Sequence, residues 1–63
     1  MNISTTQQTS IHHTVKVDNR HIGTLVDRSS TNHNDWAFVP KNLDTVQWTV
    51  PSFSEAIKKI KES

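Results

Sequence analysis

Only one stretch of the chain spaces its apolar residues as a helix does. Phe53, Ala56, Ile57 and Ile60 fall at i, i+3, i+4 and i+7, which places them in a single stripe on a helical surface. Lys58, Lys59 and Lys61 fill the rest and suit the negative end of a helix dipole. The start is specified by Pro51-Ser52-Phe53-Ser54-Glu55. Ser52 can accept from the Glu55 N–H while the Glu55 side chain reaches back, the reciprocal arrangement of a capping box. A helix over 53–61 follows. It has to cover one face of whatever the remaining apolar runs build, because nothing else in the chain can.

Those runs have the period of strands. Ile11, His13, Val15 and Val17 alternate with His12, Thr14 and Lys16, the pattern of a half-buried strand. Asp18-Asn19-Arg20 supplies residues that tolerate the left-handed backbone of a tight hairpin turn. A second strand near 21–27 then carries the sole glycine, Gly23, and a glycine inside a strand signals a bulge or the close approach of another group. Residues 27–35 hold no apolar side chain and read as a surface loop. A third strand over 36–39 is stopped by Pro40, which cannot donate to a ladder. Val46, Trp48 and Val50 alternate again and predict a fourth over 45–50. The fold class is α+β: a small antiparallel sheet of three to four strands packed on one C-terminal helix, forming a single domain over 11–63. Residues 1–10 (MNISTTQQTS) are rich in Thr, Ser and Gln, cannot offset the entropy of ordering, and read as a flexible tail.

Composition narrows function more than it names it. A 63-residue chain has room for one domain with a thin core, burying roughly 60% of its unfolded surface. It contains no cysteine, so disulfides and thiolate metal sites are excluded and self-association is the expected supplement to the core. Seven Lys and Arg against six Asp and Glu give a net charge of +1, too small to attract nucleic acid or anionic membrane at long range. No apolar run approaches a membrane span, and the first residues lack the basic start and apolar stretch of a signal peptide. A cytoplasmic protein without membrane contact is expected.

Chemistry-bearing constellations are scarce. His12, His13, His21 and His33 do not show metal-ligand spacing, and neighbours on a strand point to opposite faces. No paired carboxylates, phosphate-binding glycine loop or serine elbow is present. Neither catalysis nor a cofactor is expected. Two binding readings remain. Lys16, Arg20 and Arg28 near the first hairpin, with Trp36 or Trp48 to stack on bases, form the nucleic-acid alternative, but Asp18, Asp27 and Asp35 are interleaved with those cations. Protein binding is preferred: a sheet covered by one helix keeps an open face and an unpaired edge. Both faces of 36–39 are also apolar, more than one helix can bury, which fits either an interface or a central strand with neighbours on both sides. The candidate partner-binding residues are Arg20, His21, Arg28, Trp36 and Phe38, and the partner is another protein or a second copy of the chain.

The order Asp35-Trp36-Ala37-Phe38-Val39-Pro40, then Thr49-Val50-Pro51-Ser52-Phe53-Ser54-Glu55-Ala56-Ile57, resembles HicB-type antitoxin domains. These run strand, proline, loop, strand and a helix opening with Glu-Ala. The resemblance spans roughly residues 15 to 61 and departs from the family at Pro51, where a glycine usually precedes the helix. The chain also looks like the short proteins of phages and other mobile elements that bind a host or competing protein. These resemblances imply a small regulator or inhibitor.

Overall fold

Antiparallel pairing begins at one tight turn. Asp18 and Asn19 adopt φ of 53° and 67°, the left-handed pair that a two-residue type I′ hairpin requires. The turn joins β2 (His12–Val17) to β3 (Arg20–Asp27), with Val17 opposite Arg20. β1 (Ile3–Gln7), β4 (Trp36–Pro40) and β5 (Trp48–Val50) complete an antiparallel sheet in the order β1-β2-β3-β4-β5, and α1 (Phe53–Lys61) closes the chain over one face. The computed structural model describes residues 2–29 and 32–62. The α+β class holds, with one strand beyond the three to four expected.

The additional strand is β1, in the segment read as a flexible tail. Ile3 pairs with Val17, Thr5 with Val15 and Gln7 with His13. Both ends of this ladder are fixed by polar groups. At one, the Asn2 carbonyl accepts from the Asp18 N–H at 2.7 Å and the Asn2 N–H donates to Asp18 Oδ1 at 2.9 Å. At the other, Thr9 Oγ1 accepts from the backbone of Ile11 and His12, the local bonding by which threonine stabilises a turn. Low hydrophobicity did not prevent ordering, because the backbone of β2 offered a free edge.

β5 is shorter than the expected 45–50. The register Phe38↔Trp48 would bring Val46 opposite Pro40, which has no N–H to give. The ladder ends instead with the Gln47 N–H on the Phe38 carbonyl at 2.8 Å. Val46 is left 46% exposed.

Val15, Leu25 and Phe38 from the sheet meet Ala56 and Ile60 from α1 in the buried core. Of the apolar stripe, Ala56 and Ile60 are buried, while Phe53 and Ile57 pack at its margin. Gly23 decides how closely these layers approach. Its φ is not positive, so what it provides is space. A Cβ there would stand 2.6 Å from the Val39 carbonyl oxygen and 2.7 Å from Phe38 Cζ. The β2–β3 register also shifts beside it, from Val15↔Gly23 to Lys16↔His21, leaving Ile22 as the extra residue of a bulge. Ile22 consequently joins the helix side, packed against the core, while His21 shares the open face with Lys16.

Gly23→Ala should destabilise the fold by about 1–3 kcal/mol through overpacking, read as a lowered urea midpoint; an unchanged midpoint would mean that both the ring and the carbonyl yield freely. At the helix start, Ser52 is extended and its Oγ accepts from the Glu55 N–H at 3.2 Å. Ser52→Ala should therefore cost about 1 kcal/mol, measured in the same titration.

Candidate partner-binding surface

The sequence candidates do not converge on one site. Phe38 is 7% exposed and stacks on Trp48, with ring centroids 5.0 Å apart and planes at 16°. It belongs to the core and has little surface to offer. Trp36 is half-buried, edge-on to Phe53 at 5.1 Å and tilted against His13 at 5.2 Å. This aromatic cluster anchors the start of α1 to β2 and β4. Arg28 lies just past the far end of β3, where its Nε and Nη2 reach the two Asp35 oxygens at 2.7 and 2.8 Å. The same residues are joined through the backbone, Arg28 N–H to the Asp35 carbonyl at 2.9 Å. The long loop is thus clamped at its base.

Arg20 and His21 stand at the opposite end of the sheet, after the β2–β3 turn. They share a groove of about 490 Å³ with Ile22, Pro40, Lys41, Asn42 and Leu43. His21 is oriented within it by a bond from Nε2 to the Gly23 carbonyl at 3.1 Å. A carbonyl only accepts, so this nitrogen carries the proton. Ile22 also walls a second cleft of about 440 Å³ between the C-terminal half of α1 and the sheet, together with Phe38, Trp48, Lys59 and Ile60. Lys59 Nζ sits 5.6 Å from the centre of the Trp48 ring, within the range of a cation–π contact.

Two large apolar side chains are exposed in the neighbouring connection. Leu43 is 52% exposed and Val46 46%, and both belong to the connection between β4 and β5. Arg20 and Lys41 line the first groove, Lys59 and Glu62 the second, and Asp18 shares a smaller hollow with Arg20 and Ile22. Arg20 and Lys41 carry no ion pair among the described residues. Of the expected binding residues, this end of the molecule brings together Arg20 and His21. Sequence reasoning missed Ile22, Lys41, Leu43 and Val46. Leu43, an isolated apolar residue in a polar connection, was the one signal available.

His12 is held by Thr9 Oγ1 at 2.8 Å, His13 lies in the aromatic cluster and His21 bonds to backbone. Among the described residues no three metal-ligating side chains gather, and no helix is long and apolar enough to cross a membrane.

The Arg28 guanidinium, by hydrogen bonding to it, holds the Asp35 carboxyl below its ordinary 3.8. Hydrogen bonds from Ser29 do the same for Asp27. An acid whose pKa is lower when folded than when unfolded adds stability above the unfolded value and loses it as pH falls through the folded one. Below pH 3.8 the urea midpoint of the native chain should therefore drop more steeply than that of Asp35→Asn. Parallel pH profiles would mean that the clamp adds nothing to stability.

No protein-family model matches the chain, and neither a curated protein nor a solved structure matches it significantly.

Proposed function

We propose that the chain is a non-enzymatic protein-binding module, a regulator or inhibitor that engages its partner through the end of the sheet carrying Arg20, His21, Ile22, Lys41 and Leu43. The observation that carries this reading is the pairing of exposed apolar side chains with concave apolar walls. Leu43 lines the groove walled by Ile22 and Pro40, and Val46 is exposed in the same β4–β5 connection. Solvated loops have no need of such side chains, whereas interfaces place apolar groups at their centre and charges at their rim. Arg20, Lys41 and Lys59 supply positive charge along these hollows, with Asp18 and Glu62 among their lining. Such mixed charge favours recognition by shape and apolar contact over binding to a polyanion.

The nucleic-acid reading loses support from the same arrangement. Arg28 is committed to Asp35 and lies at the end of β3 opposite Arg20, so the hairpin cations do not form one stripe.

The test is affinity capture from cell extract with the native chain and with Leu43→Asp in parallel. Leu43 is more than half exposed, so the substitution should change stability by no more than about 0.5 kcal/mol. One protein held by the native chain at high salt, and bound about tenfold more weakly by the variant, is the expected result. Retention of nucleic acid alone, released by salt, would replace the proposal with the alternative.

A further inference from the structure

The outer backbone of β1 is a donor and acceptor row that pairs with none of the described residues. Its ladder with β2 closes at Asn2/Asp18 and at Gln8/His12. Antiparallel pairs alternate between hydrogen-bonded and non-bonded, so with the observed register Ser4 and Thr6 bond inward to β2. The N–H and C=O groups of Ile3, Thr5 and Gln7 therefore turn outward. Protein edges are ordinarily blunted by lysine, proline, a bulge or an inward charge. β1 reads Ile-Ser-Thr-Thr-Gln and has none of these, and no charged side chain occurs before Lys16. The opposite edge differs: β5 has three residues and runs directly into Pro51 and α1.

We propose that this edge pairs with the same edge of a second copy, joining two sheets into one across a twofold axis at Thr5. The pairing is self-complementary. Thr5 faces Thr5 of the copy and Ile3 faces Gln7, so every outward N–H of these residues meets an outward C=O. No like charges are opposed, because the strand holds none, and a threonine pair is a favourable cross-strand neighbour. On the helix side the joint sets Ile3, half-buried beside Val17, next to new cover. A second copy is the occupant that an uncharged, symmetric strand fits, and a chain this short gains from the extra burial. The proposal stands apart from the binding surface above, which lies on β3, β4 and α1.

The test is sizing with light scattering across a concentration series, for the native chain and Thr5→Pro. The Thr5 N–H points away from β2, so proline at this edge position leaves the intramolecular ladder intact while removing the donors at the axis. The native chain should show twice the monomer mass of 7.2 kDa, and the variant should dissociate at least about tenfold more readily. Residue-resolved hydrogen exchange gives a second reading on the native chain alone. The amides of Ile3, Thr5 and Gln7 should be protected when concentrated and released on dilution, while those of Ser4 and Thr6 stay protected throughout. A native chain that remains monomeric up to about 1 mM, a dimer indifferent to Thr5→Pro in a folded variant, or outward amides that exchange freely at every concentration would each overturn the proposal.

Discussion

The Phe38 ring lies against bare backbone at Gly23, and the layers of the molecule are spaced by that contact. With no side chain in the way, the ring can sit low on β3 and stack on Trp48, over which the Lys59 ammonium of α1 is placed. The helix reaches the sheet closely enough for Ala56, the smallest residue of its stripe, to be wholly buried. In so thin a core each missing contact weighs heavily, since a domain of this size has little apolar burial in reserve. The bulge beside Gly23 adds the second consequence. By turning Ile22 toward the helix, it gives the clefts at that end their common wall.

Much of the architecture was legible because periodicity and punctuation agreed. The helix over 53–61, the β2–β3 turn at Asp18-Asn19 and the stop at Pro40 all appear where local chemistry placed them. Gly23 was readable as a marker of a bulge or a close approach, and both occur there. β1 was not readable from composition. A strand can be held by its neighbour's unpaired backbone with little apolar content of its own, and that neighbour is known only once the topology is. The shortening of β5 likewise needed the register with Pro40.

The candidate surface was less legible than the fold. Arg20 and His21 were candidates and share one groove, but Ile22 lies within an alternating segment where period two would have put it on the open face. The bulge reverses that assignment. Phe38 and Trp36 were singled out because 36–39 is apolar on both faces, yet in a tiny domain such side chains serve packing first, as the Phe38–Trp48 stack and the edge-on Trp36–Phe53 contact illustrate. Arg28 was chosen for its charge, which Asp35 already satisfies in a bidentate pair.

That clamp has an architectural consequence. Because Arg28 and Asp35 are tied through both side chains and backbone, the registry of β3 with β4 is settled before the chain between them begins. Lengthening the connection between them is then a matter of loop entropy: doubling a flexible loop costs only about 0.6 kcal/mol. The molecule thus contains a natural insertion point, at the end of the sheet away from Leu43, where a peptide tag or a second domain could be accommodated without disturbing that surface.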